Sequence, residues 1–279
     1  MKKLIILLVL ILLPAGVICN HNCAYADDNA SDSVELPILM YHSVLKSKNG
    51  TYIVTPAQLE QDFKQIVECG YTAVTCEQVI NFVDGKGNLP VKPILITFDD
   101  GHYNNMYYAL PLLKKYGLHA VLNVIGKFSD FTTSSGDVDN PNYSHVTWDE
   151  VAEMSNDGIM EIGSHTYNMH NYKPRFGMSQ KYGESDEQYA TALRNDIGQL
   201  QKILFEHTGK ICRVLAYPFG KYNAVTEQTL LDMGFRMMFT CNEGVSTVTR
   251  YKPECLYKLK RINRSGLYDT ATVMNKISN

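Results

Sequence analysis

Residues 93–125 read PILITFDDGHYNNMYYALPLLKKYGLHAVLNVI, and this stretch decides the fold. Pro93 to Phe98 is a short, unbroken apolar run that ends in two acids, the pattern of a strand buried on both faces. The segment from about Asn105 to Tyr116 reads as a helix, and Gly117 stops it by allowing a left-handed C-cap. His119 to Ile125 is apolar again and returns as strand.

The same alternation extends outward in both directions. Upstream, Pro37 to Tyr41 reads as a buried strand, and Pro56 to Glu68 as a helix with Leu59, Phe63, Ile66 and Val67 on one face. Tyr71 to Val74 is a second strand. Downstream, Thr147 and Glu150 form a capping-box pattern that opens a helix, Gly158 closes it, and Met160 to Gly163 is a strand. A long helix is expected from Asp186 to Thr208, then a strand at Val214 to Tyr217, a helix at Thr226 to Met233 and a strand at Met237 to Thr240. Repeated strand-then-helix units imply an α/β protein with a mostly parallel sheet covered by helices, either open or closed into a barrel. In both forms functional side chains gather just beyond the C-terminal ends of the strands.

With 45% hydrophobic and 20% charged residues in 279, the chain buries a real core and is neither disordered nor fibrous. A formal net charge of -3 provides no basic field, so no nucleic-acid partner is expected, and nothing predicts a protein partner. The N-terminus has the parts of a secretory signal: Lys2 and Lys3, an apolar run from Leu4 to Leu13, and Ala24-Tyr25-Ala26 as a cleavage site. The run is shorter than the roughly 20 residues of a membrane span. Ile18 and Asn22 stand before Cys19 and Cys23, where a lipoprotein signal needs a small residue. The expected organisation is a signal peptide at 1–26, a polar flexible segment at 27–35 and one catalytic domain at 36–279, exported to the cell surface, the cell wall or the medium. Beyond the signal, Cys69, Cys76, Cys212, Cys241 and Cys255 form no C-x-x-C pair, so ordinary buried thiols with at most one bridge are expected.

Three strand ends carry unusual residues: Thr97-Phe98-Asp99-Asp100-Gly101, Ser164-His165-Thr166 through His170, and Tyr217-Pro218-Phe219-Gly220. Adjacent carboxylates at the end of an apolar strand repel each other, and a divalent cation would offset that cost. Taken alone, Asp-Asp-Gly better suits a solvated turn. On a helix two histidines five positions apart would point about 140° from each other, so His165 and His170 must sit on a loop to converge. Two imidazoles and one carboxylate leave zinc an open position for water, the arrangement of a catalytic site. A second carboxylate beside the metal serves as general base.

These motifs, with Asp232-Met233-Gly234-Phe235 and Leu259-Lys260-Arg261-Ile262 after them, resemble in order the motifs of the polysaccharide deacetylases, the NodB-homology family, from about Pro37 to Ile262. The resemblance implies a distorted (β/α) barrel in a single domain. It implies a divalent metal, most often zinc and otherwise cobalt, nickel or manganese, on Asp100, His165 and His170. Asp99 would be the general base, and the backbone N–H of Phe219 would hold the oxyanion. The implied substrate is an N-acetylated glycan polymer such as peptidoglycan or an exopolysaccharide. The histidine spacing and Leu39-Met40-Tyr41-His42-Ser43 resemble the branch acting on poly-β-1,6-N-acetylglucosamine. Tyr217, Pro218 and Trp148 are further candidates for contact with the glycan, although packing is the commoner use of a lone tryptophan.

Two departures stand out. The family's third motif usually has an arginine that orients the base where this chain has Ala216, with Arg213 nearby in sequence. The fifth motif often supplies a histidine as general acid, and here it offers Arg261 and Asn263, leaving Asp99, His42 or His102 for that step. They motivate one alternative, a metal-binding, catalytically weak carbohydrate-binding protein; a deacetylase of some other acetylated substrate is a second, which nothing in the sequence excludes. The stretch from Asn171 to Asp186, with Tyr172, Arg175, Phe176 and Tyr182, reads as a surface loop that could border a substrate groove.

Overall fold

The alternation closes into a ring. Parallel strands β1 (Ile38–Tyr41), β2 (Pro93–Phe98), β3 (Ala120–Val124), β4 (Met160–Ser164), β5 (Val214–Ala216), β6 (Met237–Glu243) and β7 (Leu259–Asn263) pair in the order β1-β7-β6-β5-β4-β3-β2. Pairing of β2 with β1, from Ile38↔Leu95 to Tyr41↔Phe98, shuts the barrel. The computed structural model describes residues 31–278, so the expected signal at 1–26 and the first part of the segment at 27–35 lie outside the described residues. Around the barrel run α1 (Pro56–Glu68), α2 (Cys76–Val83), α3 (Leu110–Tyr116), α4 (Gly126–Ser135), α5 (Trp148–Asp157), α6 (Asp186–Thr208), α7 (Ala224–Asp232) and α8 (Thr270–Ser278).

Successive side chains on a strand point to opposite faces, so each strand divides its residues between the barrel interior and the helix layer. Ile38, Leu95, Val121, Val214, Ala216, Met237, Phe239 and Leu259 share one core cluster. Ile94, Ile96, Leu122, Leu215, Met238 and Ile262 share the other, with side chains from α1, α3, α5 and α6. The first cluster includes Val79, Phe82 and Val83 of α2, which close the barrel at the N-terminal ends of its strands. Leu36 and Val248 join them from an antiparallel ribbon, Ser33–Leu36 with Ser246–Thr249. Ser33 to Glu35, expected to be flexible, are therefore a paired strand. Next to this floor, β4 and β5 pair only at Ser164↔Leu215, and their N-terminal halves border a cavity of about 640 Å³, remote from the strands' C-terminal ends.

Local chemistry explains most helix boundaries. Thr55 with Gln58, Thr147 with Glu150 and Ser185 with Gln188 form reciprocal capping boxes, and Gly117, Gly158 and Gly209 end helices in the left-handed conformation. The helix expected from Asn105 to Tyr116 differs at its start, where Asn105–Ala109 is a π-helix. Pro111 has no N–H to give to the preceding turn, and the Leu110 N–H reaches back five residues to Asn105. The five cysteines Cys69, Cys76, Cys212, Cys241 and Cys255 are free thiols, and Cys69 and Cys241 are exposed rather than buried as expected.

A buried ion pair ties β7 to the helix layer. Arg264 donates to Asp62 on α1 through Nε (2.6 Å) and Nη2 (3.1 Å), and the same carboxylate accepts from Tyr41 Oη and Thr270 Oγ1. Asp62→Ala would strand a buried guanidinium, so a loss of about 3–5 kcal/mol of stability is expected. Urea unfolding checks it: the midpoint should fall at unchanged m-value.

Candidate metal centre and active site

Strand alternation sends Thr97 and Asp99 into the barrel and would send Asp100 outward. The chain prevents this by leaving β2 in left-handed conformation at both Asp100 (φ 72°) and Gly101 (φ 71°), so that both carboxylates face the open end. Aspartate tolerates that region better than most residues, and a Cβ on Gly101 would sit 3.2 Å from the Val124 Cα on the neighbouring strand. After β4, Thr166 is likewise left-handed (φ 71°) and turns the chain so that His170 folds back beside His165. Asp196 of α6 pins that loop by accepting the Tyr167 and Asn168 N–H groups, both at 2.9 Å.

These two turns bring Asp100, His165 and His170 together, with one ligand atom from each lying within 4.8 Å of the others. Two ligands held about 2.0–2.1 Å from a tetrahedral zinc are about 3.3–3.4 Å apart. Asp100 Oδ1 is 3.4 Å from His170 Nε2 and 3.6 Å from His165 Nε2. That oxygen is buried with no hydrogen-bond partner, an orphaned acceptor that a cation would satisfy. His165 Nδ1 is 2.8 Å from the Ala216 carbonyl, which can only accept, so Nδ1 carries the proton and Nε2 offers its lone pair toward Asp100. Burial pushes His165 down to about 4, which keeps the imidazole neutral as ligation requires. The other Asp100 oxygen, Oδ2, lies 3.5 Å from His102 Nε2. The residues present therefore fit a divalent metal.

Asp99 lies beside this cluster and is held by different partners. Arg261 of β7 reaches past β1, which lies between β7 and β2, and donates to both of its oxygens, Nη1 to Oδ1 at 2.8 Å and Nη2 to Oδ2 at 2.7 Å. Asn123 of β3 donates to Oδ1 at 2.8 Å. Arg261 is itself satisfied by the Thr240 carbonyl (2.9 Å) and Thr97 Oγ1 (3.2 Å). Burial alone would raise Asp99; the guanidinium, with help from His165 and His42, overrides it and holds the carboxyl well below its ordinary range. Asn123 has its place because residue 163 is glycine, where a Cβ would meet Asn123 Oδ1.

The profile of the polysaccharide deacetylase family matches residues 86–238, more than half of the chain. The chain belongs to the polysaccharide deacetylase family. A poly-β-1,6-N-acetyl-D-glucosamine N-deacetylase of Staphylococcus aureus is 27% identical over 269 residues, covering 88% of each chain. Two solved structures share the fold at 24% identity: a de-N-acetylase from Aggregatibacter actinomycetemcomitans (TM-score 0.73, 87% of this chain and 99% of that one) and IcaB from Ammonifex degensii (TM-score 0.72, 88% and 97%).

As a polysaccharide deacetylase the protein is a hydrolase, and its departures from the family motifs now have physical form. Where the third motif has Ala216 rather than an arginine, it is Arg261, met in the sequence at the fifth motif, that contacts Asp99. Arg213 plays no part, being exposed beside the cavity at the other end of the barrel. The sequence carried no usable signal for the role of Arg261, because Lys260 and Arg261 interrupt the apolar run of β7 and mask the strand. Asn123 was missed, although it is the one polar residue in Ala120–Val124 and that is the signal that could have found it. Asp196 left no signal, because nothing in a helical sequence says which loop it meets.

Phe219, expected to hold the oxyanion through its backbone N–H, is at the site, whereas the three expected glycan contacts are not. Its ring centroid is 4.3 Å from that of His170, and its backbone is left-handed (φ 55°). Trp148 is a correction: it is 4% exposed, donates its Nε1–H to Asp130 (2.7 Å) and stacks on His207, so no sugar reaches it. Tyr217 is corrected in the same way, with its ring fully buried against Tyr222, and Pro218 is buried.

Proposed function

We propose that this polysaccharide deacetylase hydrolyses N-acetyl groups from a GlcNAc-containing polysaccharide, using one divalent metal and Asp99 as general base. The observation that carries the reading is the convergence of Asp100, His165 and His170 around an unpartnered carboxylate oxygen, with a second carboxylate clamped beside them. Asp100 Oδ1 and the two Nε2 atoms would hold the metal, with zinc the first choice for two imidazoles and a carboxylate. When bound, the cation would acidify a water molecule and polarise the acetamide carbonyl. The water's proton passes to Asp99, whose Oδ2 keeps a lone pair free beyond the one used by Arg261. Arg261 and Asn123 fix that carboxylate in place and keep it ionised. The backbone N–H of Phe219 supports the carbonyl oxygen as negative charge develops on it, and donors of this kind are worth about 2.7–4 kcal/mol.

The leaving nitrogen must gain a proton as the C–N bond breaks. His102 is engaged with Asp100, whereas His42 has a buried Nδ1 with no partner and lies close enough to both carboxylates to feel their charge. Burial nevertheless lowers the His42 pKa despite those charges, so His42 is neutral at rest, and the proton that Asp99 takes from water is the one available to the leaving nitrogen. The name of the Staphylococcus aureus relative supports a β-1,6-linked N-acetyl-D-glucosamine polymer as substrate. The N-terminal signal pattern supports export, which would bring the enzyme to a polymer outside the cell.

Acetate release from β-1,4- and β-1,6-linked N-acetylglucosamine oligomers and from peptidoglycan, by metal-stripped enzyme before and after zinc, tests the proposal. Turnover only with metal is the expected result. His165→Ala should abolish both zinc binding and turnover, the latter by at least about 100-fold. Zinc binding without acetate release from any of these polymers would sink the reading.

A further inference from the structure

We infer that Tyr172, Phe176 and Phe219 form a stacking subsite for a pyranose ring of the glycan chain, next to the sugar whose acetyl group is removed; this rests on the deacetylase reading. The ring centroids lie 4.9 Å (Tyr172 to Phe219), 5.0 Å (Phe176 to Phe219) and 5.6 Å (Tyr172 to Phe176) apart. The interplanar angles are 30°, 24° and 13°. Three near-parallel rings at nearly equal separations cannot form a column, in which the outer pair would be twice as far apart. They are slipped over one another in offset stacks and form one aromatic cluster, in which Tyr172 and Phe176 keep solvent-exposed surface.

The aromatic cluster adjoins the metal cluster, because Phe219 also packs on the ligand His170 at 4.3 Å. It is open to solvent: Tyr172 is 74% and Phe176 39% exposed. Exposed clustered aromatics cost solvation unless a ligand covers them, and the C–H face of a β-linked pyranose is an apolar surface of matching size. Lys221 Nζ stands 5.2 Å over the Phe176 ring, within reach of a hydroxyl on a sugar seated there.

The loop that presents these rings is built to hold them. Gly177 is left-handed (φ 55°), and a Cβ there would lie 2.6 Å from the Pro218 carbonyl oxygen, so only glycine lets the loop settle on the Pro218-Phe219 turn. Below it, the buried Arg175 makes a two-pronged ion pair with Glu184 (2.6 and 2.9 Å) and donates to the Ser179 carbonyl. Met178 is fully buried, and its carbonyl accepts from Tyr189 Oη of α6. The aromatics are thus exposed on a fixed support.

The test is acetate-release kinetics on N-acetylglucosamine oligomers of two to five residues, in whichever linkage is turned over faster, with zinc-loaded enzyme. In the unsubstituted enzyme KM should fall as the oligomer lengthens. Tyr172→Ala and Phe176→Ala should each raise KM for the pentamer about tenfold, more than they lower kcat, and flatten the dependence on length. Tyr172→Phe should restore the dependence, because a ring face is what is needed. Tyr251→Ala, an exposed tyrosine beside Gly85 at the opposite end of the barrel, should match the unsubstituted enzyme. Turnover with unchanged pentamer KM in both alanine variants overturns the subsite and leaves the deacetylase reading intact. If the enzyme releases no acetate at all, the deacetylase reading fails, and calorimetric binding of the pentamer decides the subsite separately. Binding about tenfold weaker in Tyr172→Ala would support it, and equal binding would overturn it.

Discussion

Asp99→Asn is expected to lower kcat for acetate release by about 100- to 10,000-fold while zinc still binds at full stoichiometry. The asparagine has the same shape and keeps an acceptor for one Arg261 N–H, but it cannot take a proton from water. The metal ligands Asp100, His165 and His170 are untouched. One complication is built into the site: Asp99 and Arg261 are both buried, so the substitution leaves a guanidinium only partly compensated. Zinc content and the unfolding midpoint should therefore be measured on the same preparation as the kinetics. A folded, zinc-loaded Asp99→Asn enzyme with full activity would show that the base is another group.

Much of this was legible because parallel barrel strands are buried on both faces and announce themselves as short apolar runs. Pro93 to Phe98 is the clearest case, with every residue buried. The long helix Asp186–Thr208 matched its expected bounds because Ser185 and Gln188 cap one end and Gly209 the other. Other elements gave no such signal. Helix α2 has eight residues, too few for a helical period to declare itself. Helix α4, GKFSDFTTSS, is made of residues that favour turns, and it is helical while burying Ser129 and Thr132. Strand β7 was hidden because Lys260 and Arg261 interrupt its apolar run.

The metal cluster was readable because it needs particular residue types at strand ends. The clamp on the base was not, since Arg261 and Asp99 are 162 residues apart and meet only when the barrel closes. Nor could side-chain identity reveal that the Ala216 backbone carbonyl sets the tautomer of His165.

Arg261→Met should reverse the pH dependence that Asp99 gives to stability. In the native protein the Asp99 carboxyl is held below its ordinary value, because Arg261 outweighs burial. Its contribution is therefore present above the unfolded value of about 3.9 and is lost as pH falls below it. With methionine at 261 the largest opposing influence is gone and burial outweighs what His165, His42 and Asn123 still supply, so the folded pKa rises above the unfolded one. The folded state then binds the extra proton, and stability from this group falls as pH increases from about 4 toward the new folded value. Unpairing the buried carboxylate should cost about 3–5 kcal/mol near neutral pH. Urea unfolding of metal-free protein between pH 4 and 7, where no cation substitutes for the guanidinium, reads the slope directly. In the zinc-loaded enzyme the acid limb of kcat/KM should move to higher pH, because Asp99 must lose its proton before it can accept one. If Arg261→Met keeps both the native slope and the native acid limb, Arg261 does not set the protonation of Asp99, and its place in the barrel is structural alone.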